Sequence, residues 1–164
     1  MGVKNYLIEG VSGTGKTSVC DELQRRGYHA IHGDRELAYQ VDPKSGEPSI
    51  TEGHEHHLWN IDKLRVLVAD QSHTASYFCG GSRNFGRFIT LFDLVFVLEV
   101  DLDTLSRRLS KRPTNEWGGR AEEKRLIVRL HATKEDVPND GIPIDATKPI
   151  SLVVDAILAH VDAE

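Results

Sequence analysis

The stretch Gly10-Val11-Ser12-Gly13-Thr14-Gly15-Lys16-Thr17 decides how this chain is read. It has the form G-x-x-x-x-G-K-[ST], the phosphate-binding loop pattern, and its flanks are those the pattern requires. Ahead of it, residues 3–8 end in Tyr6-Leu7-Ile8, a short apolar run that fits a buried strand. Behind it, residues 18–26 carry Val19, Cys20 and Leu23 among polar residues, the spacing of a helix that covers a sheet. Glycines let the backbone curl round an anion so that successive N–H groups point inward. The helix behind the loop adds the positive end of its dipole. Val11, Ser12, Gly13, Thr14, Gly15, Lys16, Thr17 and Ser18 are therefore the expected cradle for a nucleoside triphosphate. Lys16 would neutralise the β- and γ-phosphates, and the Thr17 hydroxyl would ligate Mg²⁺. The bland alternative is a glycine-rich turn between strand and helix, which would not require strand, loop, Lys-Thr and helix to agree as they do here.

With 164 residues the chain is expected to form a single domain over 1–164, large enough for a sheet covered by helices on both faces. A composition of 39% hydrophobic and 27% charged residues excludes wholesale disorder. The net charge of −5 argues against a general nucleic-acid binder. Cys20 and Cys79 are far apart with no C-x-x-C, which reads as buried free thiols in a reducing cytosol. The N-terminus runs almost directly into the first strand, which is read as leaving no room for a signal peptide, and no apolar run approaches a membrane span. The expectation is a soluble, cytoplasmic monomer or homodimer whose partner is a small-molecule phosphate acceptor, with no nucleic acid and no membrane.

Taken in order, Gly27 closes the first helix and residues 28–32 read as a second strand ending at Gly33-Asp34-Arg35. In an open parallel sheet, ligands gather beyond the carboxyl ends of strands. Asp34 there is the candidate to accept a proton from an acceptor hydroxyl or to hold Mg²⁺ through water, and Arg35 to pair with an anionic acceptor. A helix-capping Asp beside a solvated Arg is the competing explanation. Residues 36–60 are read as an acceptor-binding insert, because Asp42-Pro43-Lys44-Ser45-Gly46-Glu47-Pro48 is too rich in breakers for a regular element. In Gly53-His54-Glu55-His56-His57-Leu58-Trp59 the histidines do not have zinc-protease spacing, so packing or acceptor contact is favoured over a metal site. Trp59 opens an apolar-faced helix that ends near Asp70.

Residues 75–79 form a third strand, and Gly80-Gly81-Ser82-Arg83-Asn84 follows. Two glycines at a strand end admit a ligand close to the backbone, which makes Gly80, Gly81, Arg83 and Asn84 acceptor-site candidates against the alternative of a plain turn. The Asp that often orients Mg²⁺ at this strand end is replaced by Cys79 and Gly80, so Asp34 becomes the leading carboxylate by elimination. Residues 85–92 fit a short helix, and residues 94–100 form a nearly continuous apolar strand, as expected of one buried on both faces. A helix through Leu109 breaks at residues 111–120, where Pro113 and Gly118-Gly119 lie among basic residues. That is the composition of a closing lid, whose guanidinium groups reach the phosphoryl only with substrate bound; solvated surface arginines are the alternative. A helix over 121–135, a fifth strand over 142–145, a turn at 146–149 and a final helix opened by Pro149 complete the chain.

The five strand–helix units, the loop at residues 10–17 and the lid resemble the small P-loop kinases: nucleotide kinases, shikimate kinase and gluconate kinase. The likeness runs over nearly the whole length, though only the P-loop is highly specific, and it is strongest to a bacterial group of nucleoside- or nucleotide-kinase-like ATP-binding proteins. It implies an α/β, three-layer P-loop nucleoside triphosphate hydrolase fold, with a five-stranded parallel sheet, helices on both faces and a lid. Shikimate kinases carry an acceptor-contacting Asp after the second strand and a glycine cluster after the third, which correspond to Asp34 and Gly80-Gly81. Their lid arginines bracket the phosphates and stack on adenine, which implies those roles for Arg108 and Arg112. The loop that passes beside the base implies Ala146, Thr147, Lys148 and Pro149. The chain lacks the full arginine set of an adenylate kinase's monophosphate site, which counts against nucleoside monophosphate acceptors, and it lacks the guanine-selecting N-K-x-D, so ATP is favoured over GTP. The resemblance implies an ATP- and Mg²⁺-dependent kinase for a small metabolite. An ATP-binding regulatory module without metabolite kinase activity is the alternative.

Overall fold

The apolar segments of the sequence become the strands of one parallel sheet. The computed structural model describes residues 4–11, 13–40, 57–82, 84–113, 119–134, 137–138 and 140–163, with the side chains of residues 39, 40 and 57 left aside. In chain order the elements are β1 (Lys4–Glu9), α1 (Lys16–Arg25), β2 (His29–His32), α2 (Gly33–Glu36), β3 (Ala38–Gln40), β4 (His57–Trp59), α3 (Ile61–Ala69), β5 (Ala75–Cys79), β6 (Leu94–Glu99), α4 (Leu102–Ser110), α5 (Ala121–Thr133), β7 (Ile142–Asp145) and α6 (Ile150–Asp162). The sheet runs β2-β5-β1-β6-β7, all parallel, so β1 sits at its centre. Central strands of such a sheet are covered on both faces, which is why the middle of β1, Tyr6-Leu7-Ile8, and β6 up to Leu98 are apolar.

Alternation along the strands separates the core. Tyr6, Ile8, Tyr77, Cys79, Phe96 and Leu98 join one cluster with Val19, Cys20 and Leu23 of α1 and Val153, Val154 and Ile157 of α6. Leu7, Ile31 and Phe78 point the other way, onto Leu64 of α3, Trp59, Phe88 and Phe92. A third cluster, Val11, Val97, Leu130 and Val137, supports the loop that follows β1. Cys20 and Cys79 are buried free thiols. No helix among the described residues is long and apolar enough to cross a membrane.

Three segments differ from the sequence reading. Residues 85–92 form two 3-10 turns, Phe85–Arg87 and Ile89–Leu91, instead of one helix. Phe88 and Phe92 must both reach the core, where their rings meet edge to face at 6.2 Å, and Gly86 weakens a continuous α-helix between them. The insert is not irregular throughout, because β3 and β4 pair antiparallel, with Ala38 opposite Trp59 and Gln40 opposite His57. A pairing partner so far along the chain leaves no local signature. Trp59 therefore ends a strand, and α3 starts after Asn60, whose side chain caps it by accepting from the Lys63 N–H at 3.0 Å. Residues 41–56, with the breaker-rich stretch and His54, Glu55 and His56, lie outside the described residues, as do Ser12, Arg83 and residues 114–118 of the lid segment.

Candidate nucleotide and acceptor site

The carboxyl ends of the neighbouring strands β1, β2 and β5 carry the phosphate loop, Asp34 and Gly80-Gly81. After β1 the chain folds back tightly: the Thr14 hydroxyl donates to the Val11 carbonyl at 2.8 Å, and a Cβ on Gly10 would lie 2.5 Å from the Thr14 Oγ1. Gly13 and Gly15 adopt φ of 93° and 103°, a left-handed backbone that glycine accepts without strain. Lys16 is the first residue of α1, and its ammonium arches back over the loop to the neutral Gly10 carbonyl at 2.5 Å. Thr17 and Ser18 lie exposed on the same first turn, where unsatisfied N–H groups and the helix dipole favour an anion.

Arg108 of α4 ties this loop to a second one. Its guanidinium donates to the Gly13 carbonyl at 3.2 Å and to the Ala146 carbonyl at 2.8 Å. Ala146 is buried after β7, while Thr147, Lys148 and Pro149 are exposed. The Asp145 carboxylate shapes their turn by accepting from the Thr147 hydroxyl at 2.5 Å and the Thr147 N–H at 3.0 Å, bonds that hold its carboxyl below the usual range. A Cβ on Gly13 would come within 3.9 Å of the Arg112 guanidinium, which puts that side chain beside the loop as well.

On the other side stands Asp34, exposed on α2 and held from behind. Its Oδ1 accepts from the Trp59 indole N–H and from the Gly81 N–H, each at 3.2 Å. Trp59 is 1% exposed and stacks on Phe88 with centroids 5.4 Å apart, so the indole is a floor for Asp34 with only its polar edge directed at the carboxylate. The ring packs so tightly under Gly33 and Gly80 that a side chain at either would meet it. Asn84 is bound to the same floor: its amide donates to the Trp59 carbonyl at 3.0 Å, and its oxygen accepts from the Trp59 N–H at 3.1 Å and the Ser82 hydroxyl at 2.8 Å. Arg35 is exposed beside Asp34.

Gly81 joins the two halves. Its N–H holds Asp34, and a Cβ built on it would lie 2.5 Å from Glu9 Oε1 and 3.3 Å from Lys16 Nζ. Glu9 is the residue the sequence reading passed over: it ends β1 at 1% exposure, with the Gly10 N–H donating to its Oε1 at 3.3 Å. The available signal was an acidic residue closing an apolar strand directly ahead of the first loop glycine. The β5 end, by contrast, presents the Cys79 thiol, pushed well up by burial and then by the hydrogen bond with Cys20, so it stays protonated at neutral pH. No group of three or more His, Cys, Asp and Glu among the described residues is arranged to hold a metal. Mg²⁺ does not need one, since it keeps waters and phosphates as ligands.

A parallel sheet of this order, with a glycine loop and Lys16 after its central strand, is a P-loop kinase-like fold. The chain belongs to the AAA domain family, whose model matches residues 7–129. It is similar to a gluconokinase from Sinorhizobium meliloti 1021 at 17% identity, covering 98% of this chain and 92% of that one with a TM-score of 0.58. A sugar kinase from Janibacter sp. HTCC2649 is similar at 20% identity, with 98% and 95% covered and a TM-score of 0.58. A deoxyadenosine kinase from M. mycoides with bound dATP is similar at 16% identity, with 97% and 99% covered and a TM-score of 0.53. No curated protein sequence matches the chain.

Proposed function

We propose that the protein is an ATP- and Mg²⁺-dependent phosphotransferase that moves the γ-phosphoryl group to a hydroxyl of a small metabolite, such as a nucleoside, nucleotide or polyhydroxy acid. The observation that carries this reading is Gly81, whose N–H holds Asp34 while its α-carbon faces Lys16, so a candidate acceptor carboxylate and a phosphate cradle share one residue. The structural neighbours named for gluconate, sugar and deoxyadenosine substrates, one of them with dATP, support the same class.

In this reading the loop amides and Lys16 bind the β- and γ-phosphates, while Arg108 holds the loop against the 146–149 turn that passes beside the base. Asp34 orients the acceptor hydroxyl and takes its proton as the acceptor oxygen bonds to phosphorus and the bond to the ADP oxygen breaks. Arg112 supplies further positive charge near the phosphates. The left-handed turns at Gly13 and Gly15, Lys16 at the start of α1 and the exposed Thr17 hydroxyl on the same turn fit a Mg-nucleotide: Thr17 would hold Mg²⁺, which when bound neutralises charge on the phosphate oxygens. We assign the enzyme to the cytoplasm, as a monomer or homodimer, with no nucleic-acid or membrane partner.

The rival reading, an ATP-binding regulatory module, is favoured by the neutral Cys79-Gly80 end of β5. ADP release from ATP, measured with and without pooled metabolite fractions, separates the two. Stimulation by one fraction supports the kinase; ATP retained without stimulated turnover supports the module.

A further inference from the structure

We propose that Glu9 replaces the acid that β5 lacks, acting from the central strand as the positioning residue that orients the water shell of the divalent cation held by Thr17 and the triphosphate. This rests on the phosphotransferase reading and adds a residue to its machinery.

Four observations meet at Glu9. Its carboxylate is 1% exposed, and a carboxylate is seldom kept at such depth unless a function or a compensating charge retains it. It lies between the phosphate loop and the β5 end: a Cβ on Gly81 would be 2.5 Å from its Oε1, 3.4 Å from its Cδ and 3.3 Å from the Lys16 ammonium. The strand end that faces it, Cys79-Gly80, carries no anionic group, because burial keeps the thiol protonated. The Gly10 N–H steers Oε1 toward the loop, so the carboxylate is fixed by the same backbone that cradles phosphate. An anion held beside a phosphate cradle repels the phosphates alone and favours them once a divalent cation and its waters lie between. Glu9 therefore favours the magnesium complex of the nucleotide over the nucleotide by itself.

Calorimetric titration with ATP, in excess Mg²⁺ and in EDTA, tests this on the wild type and on Glu9→Gln, which keeps the side-chain length and an acceptor for Gly10. In the variant, ATP is expected to bind in EDTA at least as tightly as to the wild type, while the gain in affinity on adding Mg²⁺ falls about tenfold. Glu9→Asp, which keeps the charge but draws it back, is expected to need more Mg²⁺ for the same gain. An unchanged Mg²⁺ gain in Glu9→Gln overturns the proposal. So does an equal loss with and without Mg²⁺, which would mark Glu9 as a support for Lys16. If Glu9→Gln does not fold, Glu9→Asp decides alone, and failure of both to fold marks the carboxylate as structural and overturns the proposal. A wild type that binds no ATP in either buffer removes the phosphotransferase reading itself, an outcome distinct from failure of the Glu9 arm.

Discussion

The Trp59 indole N–H donates to Asp34 Oδ1 at 3.2 Å, so a core side chain fixes the direction of an exposed carboxylate. The Gly81 N–H grips the same oxygen, leaving Asp34 aimed by two donors on different segments. Asp34→Ala is expected to lower turnover by about 10² to 10³ while ATP affinity stays near wild type. Trp59→Phe keeps an aromatic ring on Phe88 but removes the donor, and should reduce turnover about tenfold, a barrier change of about 1.4 kcal/mol. Steady-state rates with a responding acceptor, paired with ATP titrations, check both. Near-normal turnover in Asp34→Ala would take Asp34 out of the chemistry.

Lys16 is the next test. Its ammonium is hydrogen-bonded to the Gly10 carbonyl and is only partly buried, so little folding stability depends on it. Lys16→Ala should melt close to the wild-type temperature yet lose both ATP binding and turnover. Retained ATP affinity in a folded variant would show that the loop is not a triphosphate cradle.

Two glycines predict opposite losses. At Gly33 an added methyl meets the Trp59 ring, which is locked against Phe88, so Gly33→Ala should cost about 1–3 kcal/mol of stability, read as a lower melting temperature. At Gly81 the methyl's nearest neighbours are the terminal atoms of Glu9 and Lys16, side-chain ends that yield more readily than a ring locked in the core. Gly81→Ala should therefore melt almost normally while turnover falls, because the side chains that move aside are those facing the phosphates. Equal stability losses in the two variants would contradict this division.

The contrast also explains what was legible in the sequence. The phosphate loop is read from contiguous residues because its geometry is local, and β1, β5 and β6 are read because strands buried on both faces leave continuous apolar runs. Asp34 and Gly81 were legible singly, as residues at strand ends, but the hydrogen bond between them was not, since parallel register sets it through the Ile31–Phe78 and Leu7–Phe78 pairs. The β3–β4 ribbon stayed hidden because its two strands find each other only in the folded chain. Glu9 was passed over because an acidic residue at a strand end is ordinarily a solvated terminus, whereas in the folded chain it is buried beside Gly81.

Arg108 was expected beside nucleotide on resemblance alone; what the structure adds is its pair of carbonyl bonds, to Gly13 and Ala146. A guanidinium can span two acceptors with fixed geometry, whereas an ammonium on a flexible stem cannot reproduce the fork. Arg108→Lys should accordingly behave more like Arg108→Ala than like wild type, each raising the Kd for ATP about tenfold, or about 1.4 kcal/mol. Isothermal titration of both variants checks this, and full rescue by lysine would reduce the role to net charge.

His29 supplies a prediction about pH. On β2 its Nδ1 lies 2.8 Å from the Ser76 Oγ, and its ring stacks on His73 at 3.8 Å with planes 7° apart. Burial first, and then the His73 ring, hold its pKa below the ordinary 6.5, with Asp70 and Glu36 opposing them more weakly. The unfolded chain therefore binds the His29 proton more readily than the folded one. The stability this represents is complete above pH 6.5 and is lost as pH falls through the lower, folded-state pKa. Thermal melts between neutral and mildly acidic pH should show a steeper loss for wild type than for His29→Gln, which cannot take up the proton. In ring-proton NMR titrations His73→Asn should raise the His29 pKa only part of the way to 6.5, because burial is the larger cause. A wild-type His29 that titrates at or above its ordinary value would contradict the account, and so would melts whose acid slopes coincide.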